Sequence, residues 1–162
     1  PSKNQSPDMT SAHDLAILAR EIVTNHPEVL DWSSLDKEPF RQGKFIMTNT
    51  NRLVTQFNGC DGLKTGYYRT AGFSVTATAK QNGVRIIAVV MGCEKNRKRF
   101  AEASRLMKWG LRHFKQIDLI QTGTPISTGI PILNGVAIET IPLVQDSLKA
   151  TIRQNISTMR TN

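Results

Sequence analysis

The stretch from Ala71 to Gly92 reads AGFSVTATAKQNGVRIIAVVMG and decides the fold. From Phe73 to Ala79 apolar and polar residues alternate, which is the pattern of a strand with one buried face. Asn82-Gly83 follows, and this dipeptide accepts the positive φ angles of a tight hairpin turn. From Val84 to Met91 nearly every residue is apolar, as in a central strand that is covered on both faces. The stretch therefore predicts a β-hairpin within a covered sheet.

Further elements flank this hairpin on both sides. The preceding residues CDGLKTGYY (60–68) predict a strand from Leu63 to Tyr68. After the hairpin, a helix is predicted from Arg97 to Phe114, because apolar residues recur there at helical spacing. Short strands are expected at Phe45–Met47 and Leu53–Val54, within an otherwise irregular segment. The sequence therefore predicts the α/β class, with an antiparallel sheet flanked by helices.

An earlier helix is predicted to begin after Ser11. Its hydroxyl stands at capping-box spacing from the Asp14 side chain, so that each can satisfy a backbone N–H of the first turn. Leu15, Leu18 and Ile22 continue the apolar face. The helix is expected to end before Pro27, since the residue before a proline disfavours helix.

The chain changes character near Asp118. Short apolar pieces are separated there by Gly, Pro and Asn, which is typical of β-rich structure. The pieces are Ile130–Ile132, Val136–Ile138 and Ile141–Val144. We therefore predict two domains, residues 1–116 and the beginning of a small β-rich domain at residues 117–162. A segment of this length is short for forming a hydrophobic core of its own.

The chain has 21 Lys and Arg against 13 Asp and Glu, a net charge of +8. Much of the excess lies between Lys95 and Lys115, on the polar side of the predicted helix, so a solvated helix face explains most of it. Aromatic residues do not alternate with these cations as nucleic-acid stacking would need, and no nucleic-acid partner is predicted. The three histidines are scattered along the sequence, so no metal site is predicted. No cofactor is expected. Cys60 and Cys93 are predicted to be free thiols.

Lys64-Thr65-Gly66 is the candidate site within CDGLKTGYY. An ammonium group can hold a carboxylate or assist proton transfer, and a threonine hydroxyl can donate to an anion. A glycine lets a ligand lie against the backbone. The tripeptide Lys-Thr-Gly arises often by chance. Judged from the tripeptide alone, the alternative to a functional site is that Lys64 is an ordinary surface lysine.

The wider sequence favours the site. TNTNRL (48–53), GCDGLKTGYY (59–68), the hairpin stretch and RFAEASRLMKWGL (99–111) follow one another in order. Together they resemble the D-alanyl-D-alanine carboxypeptidases, which are low-molecular-mass penicillin-binding proteins. The helix TSAHDLAILAR (10–20) resembles the one after the second motif of that family. The resemblance covers residues 1–116 and, more loosely, the tail. It implies that residues 1–116 are the C-terminal part of a transpeptidase-like catalytic domain.

This resemblance implies catalysis by serine acylation. Lys64 would supply positive potential, and the backbone N–H of Tyr67 would donate to the oxyanion. Thr65 would bind the terminal carboxylate of the peptide or of penicillin, beside Gly66, and Arg99 would also attract that carboxylate. For Arg99 the alternative is a solvated helix charge.

The family also has an S-x-x-K motif carrying the nucleophile and an S-x-N motif, both upstream of Lys-Thr-Gly. Ser34–Lys37 and Ser2–Asn4 imitate these motifs, but in inverted order. Pro39 stops any helix that could present Ser34 and Lys37 together. We therefore expect the chain to be a fragment that lacks the nucleophile and does not acylate alone. The remaining part of the catalytic domain is then an expected partner.

The function implied by resemblance is a penicillin-sensitive, serine-type D-Ala-D-Ala carboxypeptidase. Its partners would be peptidoglycan pentapeptides and β-lactams, outside the cytoplasmic membrane. Membrane association of the full-length protein is expected because family members often carry an amphipathic C-terminal anchor. The alternatives are a β-lactamase or peptidoglycan endopeptidase of the same fold, and a non-catalytic binding or scaffold module.

Overall fold

The computed structural model describes residues 9–126, 129–133 and 139–154. They divide into two compact units, one ending at Arg112 and one starting at His113. In chain order the elements up to the unit boundary are α1 (Ala12–Asn25), α2 (Val29–Ser33), β1 (Lys37–Phe40), β2 (Phe45–Thr48), α3 (Leu53–Gln56), β3 (Cys60–Tyr68), β4 (Gly72–Gln81), β5 (Val84–Cys93) and α4 (Asn96–His113).

The predicted hairpin is confirmed as β4 and β5 of an antiparallel sheet in the order β3-β4-β5. The central strand of the described sheet is β4, whereas β5, expected to be central from its apolar run, lies at an edge. Ala77 pairs with Ala88, and Gln81 pairs with Val84 at the turn. Asn82 and Gly83 have φ angles of 49° and 79°, which is the left-handed geometry that a two-residue turn requires. The antiparallel sheet with flanking helices is the fold class expected from the sequence.

Helix α4 covers one face of this sheet. Phe100, Ala103 and Met107 pack in a common core with the alternating residues of β4, and Met107 is fully buried. The residues of β4 in that core are Val75, Ala77 and Ala79. A Cβ added at Gly110 would lie 2.8 Å from Ile86 Cδ1, so glycine permits the close approach of α4 to β5. The core therefore lies between α4 and the sheet.

Helix α1 lies against β4 and β5. The space beneath it is lined by Ser74 and Thr76, which alternate along β4 with the residues facing α4. The sheet is thus covered on both faces, as the apolar run in β5 indicates. The predicted cap is confirmed, since Asp14 N–H donates to Ser11 Oγ at 3.1 Å and Ser11 N–H donates to Asp14 Oδ2 at 3.1 Å.

We expect Ser11→Ala to lower the free energy of unfolding by about 1 kcal/mol, since Asp14 N–H loses its acceptor. The pKa of the Asp14 carboxyl is lowered mainly by a hydrogen bond from the Ser11 side chain and to a smaller extent by one from the Ser11 backbone N–H. A carboxyl with a depressed pKa stabilises the fold above its unfolded pKa and loses this effect as pH falls through its folded pKa. The cost of Ser11→Ala should therefore shrink below about pH 4.

Urea unfolding of wild type and Ser11→Ala across that pH range measures this effect. Thr10→Ala is the matched control, because Thr10 is an exposed neighbour that precedes the cap. An equal cost for both substitutions, or a Ser11→Ala cost that grows in acid, would contradict the assignment of the capping box.

Two short strands were predicted within residues 28–58, and the structure confirms one of them. The strand predicted at Leu53–Val54 is wrong, because these residues begin α3. Just before this helix, the Asn51 side chain accepts a hydrogen bond from Leu53 N–H at 3.2 Å, and this local turn outweighs the weak preference of two apolar residues for a strand. The strand predicted at Phe45–Met47 is confirmed as part of β2. Neither α2 nor β1 was predicted.

The two cysteines are free and buried, as predicted. Cys60 pairs with Ala79, whereas Cys93 pairs with Phe73 at the other end of β4. Six residues of extended strand separate these two partners by roughly 20 Å, far beyond the reach of a disulfide. Burial also raises the pKa of the Cys60 thiol, so this thiol is a poor nucleophile.

In its described residues the second unit contains strands only: β6 (Phe114–Ile120), β7 (Ile130–Pro131), β8 (Glu139–Thr140) and β9 (Leu148–Arg153). Strand β6 pairs with β9 and β7 with β8, both antiparallel. The β-rich character expected of the tail is therefore present. The predicted apolar piece Val136–Ile138 lies outside the described residues, and Phe114, expected to end the preceding helix, begins β6.

Candidate active site

The tripeptide Lys64-Thr65-Gly66 lies in the middle of β3, at an edge of the described sheet. It lines a cavity of about 460 Å³ together with Ser74 and Thr76 of β4. The opposite wall is apolar and comes from α1 and α2: Leu15, Leu18, Ala19, Ile22 and Val29. The fold thus brings the three candidate residues to one cleft.

The Thr65 side chain is held in place from outside the sheet. Its residue is only 8% exposed, and its hydroxyl lies 2.7 Å from the hydroxyl of Thr50. Either oxygen can donate in this pair, so Thr65 can keep a proton for a further acceptor when Thr50 donates to it. This arrangement suits a group that donates to an anion.

The loop that supplies Thr50 is tied to the strand by asparagine side chains. Asn51 is 2% exposed and donates from Nδ2 to the Gly62 carbonyl at 3.0 Å. Asn49 donates to the carbonyls of Ser33 and Leu35, at 3.0 and 2.7 Å. The loop therefore connects α2, α3 and β3. No role was predicted for TNTNRL (48–53) itself, and its closely spaced asparagines were the available signal.

An ion pair anchors the beginning of β3 across the sheet. Arg85 donates to both carboxylate oxygens of Asp61, at 2.9 and 2.8 Å, and also to the Thr78 hydroxyl at 2.8 Å. Such a bidentate arrangement fixes orientation as well as distance. Asp61 precedes Lys64 by three residues, so the pair positions the strand that carries the tripeptide.

Lys64 itself is exposed at the cleft. Its Nζ donates to the Thr65 carbonyl at 2.6 Å. Among the ion pairs between described residues, none includes Lys64. The ammonium therefore carries its charge beside the Thr65 backbone carbonyl and can attract an anionic ligand.

The backbone beside Lys64 is accessible. A Cβ added at Gly66 would meet no atom within 4 Å, so the glycine is not required by packing there. A ligand can therefore approach the backbone at this point. The Tyr67 side chain is 60% exposed and stacks on Phe73 with ring centroids 4.2 Å apart. The role of its backbone N–H as an oxyanion donor stays a prediction.

Arg99 lies on α4 and is only 5% exposed. Its Nη1 donates to the carbonyls of Gly66 and Ser74, at 2.8 and 2.9 Å, and its guanidinium carbon lies 5.4 and 4.7 Å from the ring centroids of Phe73 and Phe100. Burial lowers the pKa of Arg99. In this structure Arg99 holds the backbone of the site, and direct attraction of a substrate carboxylate stays a prediction.

The local imitation of S-x-x-K has no helix to present it. Ser34 follows the last residue of α2, and Lys37 begins β1. The two side chains therefore do not share a helical face. The other imitation, Ser2–Asn4, lies outside the described residues.

We expect Thr50→Val and Thr65→Val each to lower the free energy of unfolding by about 1 kcal/mol, because each leaves one hydroxyl without its partner. The double substitution should cost less than the sum of the two, since both hydroxyls are then removed. Urea unfolding of the four proteins measures this difference.

The matched control is Thr55→Val, because Thr55 donates only to the nearby Arg52 carbonyl, at 3.2 Å, on an exposed helical turn. It should combine additively with Thr65→Val. Additive costs for the Thr50 and Thr65 pair would contradict the coupling of the two hydroxyls.

The fold indicates a class of protein, because several solved structures that match it are named penicillin-binding proteins. A peptidoglycan synthesis regulatory factor (PBP3) from Streptococcus pneumoniae is 27% identical, with a TM-score of 0.78 over 94% of this chain and 44% of that one. Penicillin-Binding Protein D2 from Listeria monocytogenes, in its ampicillin-bound form, is 32% identical, with a TM-score of 0.59 over 66% and 45%.

The sequence places the chain more narrowly within this class. The family model described as D-alanyl-D-alanine carboxypeptidase matches residues 2–95. The D-alanyl-D-alanine carboxypeptidase DacC of Escherichia coli is 34% identical over 113 residues, which cover 69% of this chain and 28% of that protein. The chain belongs to the D-alanyl-D-alanine carboxypeptidase family. It spans less than a third of the length of this relative.

Among the described residues, no group of three or more His, Cys, Asp or Glu could hold a metal ion. Within the same part of the chain, no helix combines the length and apolar character needed to cross a bilayer.

Proposed function

We propose that residues 1–116 are the part of a serine-type D-Ala-D-Ala carboxypeptidase domain that closes the substrate cleft. The observation that carries this proposal is the Lys-Thr-Gly tripeptide on an edge strand, lining a cavity with an open backbone position at Gly66. Family membership supports the reaction class. The substrate would be a peptidoglycan stem peptide ending in two D-alanines, and the site of action would be outside the cytoplasmic membrane.

Four of the candidate residues have distinct tasks in this reaction. The Lys64 ammonium raises the positive potential of the cleft, where it attracts the terminal carboxylate and stabilises negative charge that develops on acylation. The Thr65 hydroxyl, with Thr50 behind it, donates to the same carboxylate. The backbone N–H of Tyr67 is one donor to the oxyanion. Gly66 leaves the space in which the peptide lies along β3.

The attacking serine is proposed to lie outside these 162 residues. No Ser and Lys at S-x-x-K spacing share a helical face among the described residues, since Ser34 and Lys37 do not. The residues described above therefore bind, orient and stabilise, and the acyl bond forms on a serine supplied by the rest of the catalytic domain. Penicillin sensitivity is expected because a β-lactam would acylate that same serine.

Labelled penicillin followed by intact-mass measurement tests this proposal. The 162-residue chain alone is expected to stay unmodified. A protein that also contains the upstream segment should gain one penicilloyl group, and peptide mapping should place it on a serine outside the 162 residues. An adduct on this chain, with Ser34 the first residue to check, would overturn the proposed division of the site.

The substrate class is tested separately in the longer protein. Release of D-alanine from a pentapeptide ending in D-Ala-D-Ala is the expected activity. Rapid turnover of penicillin without D-alanine release would instead indicate a β-lactamase. Cleavage of peptide cross-links without release of terminal D-alanine would indicate an endopeptidase.

A further inference from the structure

A groove of about 470 Å³ lies between α3 and α4 in the first unit. One side is formed by Arg52, which directly precedes α3, and by Leu53 and Gln56. The other side is a single helical stripe of α4, because its members recur at helical spacing: Arg97, Phe100, Ala101 and Ser104. We call this feature the α3–α4 groove. Its volume lies in the range of about 300–1,000 Å³ that is usual for small-molecule sites.

Two arginines from different elements line this groove without a carboxylate beside them. Arg52 and Arg97 are both exposed, and neither belongs to an ion pair between described residues. No acidic residue is found among the described residues that line the groove. A concave site lined by charges of one sign concentrates counter-ions more strongly than a flat surface does. The groove therefore favours an anionic ligand.

Arg52 also acts on a third guanidinium, the buried Arg99. Burial is the main cause that lowers the pKa of Arg99, and the positive charge of Arg52 lowers it as well. The fold thus holds Arg52 close enough to a second cation for the two charges to repel each other. An anion bound to Arg52 would offset this repulsion. We therefore expect anion binding in the groove to stabilise the folded state.

The geometry of the guanidinium group selects the kind of anion. One guanidinium can bind both oxygens of a carboxylate through two parallel hydrogen bonds, so a single arginine is sufficient for a carboxylate. A phosphomonoester has three terminal oxygens and a charge of about −1.5 to −2 at neutral pH, so it can accept hydrogen bonds from two guanidiniums together. The Ser104 hydroxyl and the Gln56 amide can donate as well. Two arginines at one groove therefore favour a phosphomonoester.

We propose that the α3–α4 groove binds an organic phosphomonoester. Arg52 and Arg97 hold the phosphoryl group, one from each side of the groove. The organic group lies on the apolar floor, which is formed by Leu53, Phe100 and Ala101. Leu53 and Phe100 belong to the buried core, so the floor is held in place by packing. A nucleic-acid phosphodiester has only two terminal oxygens and one charge per phosphate, and it uses the two arginines less fully.

The groove is separate from the candidate active site. Helix α4 packs on one face of the sheet, whereas the cavity beside Lys64 lies beneath α1 on the other face. No residue that lines the α3–α4 groove also lines that cavity. The proposal needs no catalytic activity and stands independently of the proposed function.

Titration calorimetry with phenyl phosphate tests the proposal on the 162-residue chain in phosphate-free buffer. We expect a single saturable site and a rise in the thermal midpoint, because a ligand that binds only the folded state stabilises it. Benzoate carries a carboxylate in place of the phosphoryl group and should bind about 10-fold more weakly. Inorganic phosphate should also bind more weakly, since it lacks a group that can lie on the apolar floor.

Substitution of the two arginines tests the assignment of the site. R52Q and R97Q should each weaken phenyl phosphate binding about 10-fold, because each removes charge-assisted hydrogen bonds. The double variant R52Q/R97Q should show no saturable binding. The matched control R20Q/R69Q removes two exposed arginines of the first unit that do not line the groove, and it should change binding little. Far-UV circular dichroism checks that each variant is folded.

The apolar floor is tested without any change of charge. Ala101 is exposed on α4, so A101L should keep the helix and fill part of the groove. This variant should weaken the binding of phenyl phosphate and leave the binding of inorganic phosphate unchanged. Equal effects on both probes would contradict the placement of the organic group on the floor.

Four further results would overturn the proposal. The folded wild type could fail to bind phenyl phosphate, or R52Q/R97Q and R20Q/R69Q could lose binding equally, which would indicate net charge alone. Binding that is lost in Lys64→Ala and kept in R52Q/R97Q would place the anion in the active-site cleft. Tighter binding of a single-stranded DNA oligonucleotide than of phenyl phosphate, lost in R52Q/R97Q, would assign the groove to nucleic acid.

Discussion

Lys64→Ala is expected to lower the rate of acylation by penicillin about 10²–10³-fold, in a protein long enough to contain the attacking serine. The lysine carries its charge at the cleft, where its Nζ donates to the adjacent Thr65 carbonyl and no carboxylate of the described residues forms an ion pair with it. Removing it takes positive potential from the place where the carboxylate and the oxyanion would lie. The second-order acylation rate with a fluorescent penicillin measures the effect.

The fold should survive this substitution, because Lys64 is exposed and surface changes usually stay within about 0.5 kcal/mol. Lys80→Ala is the matched control, since Lys80 is also an exposed lysine of the same sheet. It should leave acylation unchanged. Acylation by Lys64→Ala at the wild-type rate, with the fold intact, would refute the role given to the lysine.

Arg99→Ala is expected to lower the free energy of unfolding by about 3 kcal/mol. The substitution removes the donor for the carbonyls of Gly66 and Ser74 and leaves a cavity between the rings of Phe73 and Phe100. Part of this cost is offset, because Arg99 Nε is buried without a hydrogen-bond partner and burial disfavours the charge. Chemical unfolding followed by circular dichroism measures the loss.

Arg97→Ala is the control for Arg99→Ala, since Arg97 is exposed two residues earlier on the same helix. Its cost should stay within about 0.5 kcal/mol. Because Arg99 holds the Gly66 carbonyl, Arg99→Ala should also slow acylation in the longer protein through displacement of β3. A loss of stability similar to that of Arg97→Ala would mean that the two carbonyl contacts contribute little.

Local sequence patterns were sufficient for the elements that bury an alternating or periodic face. The alternation from Phe73 to Ala79, the Asn82-Gly83 turn and the capping box at Ser11 each depend on residues close together in the chain. The conformation of these segments therefore depends little on the rest of the fold. The predicted Leu53–Val54 strand is wrong because two apolar residues carry too little local signal, and a turn held by the hydrogen bond from Leu53 N–H to the Asn51 side chain leads into α3 instead.

In the candidate site, too, local features could be predicted from the sequence and long-range contacts could not. Lys64-Thr65-Gly66 could be identified as a chemical set from its letters and from the resemblance of its surroundings. The supporting contacts could not, because they join residues far apart in sequence: Thr50 to Thr65, Arg85 to Asp61, and Arg99 to Gly66. In each case either residue could have faced solvent with the same local sequence.

By itself the sequence determined the strand–turn–strand core, its covering helices and the family, because alternation, helical spacing and turn chemistry are local and the matching motifs are long. Only the tertiary structure decided what surrounds the tripeptide: a cleft wall from α1, a hydroxyl partner for Thr65 and a buried guanidinium behind Gly66. These depend on how the sheet pairs and which helix covers each face. Such contacts are made across the chain, where packing of the whole unit outweighs local preference.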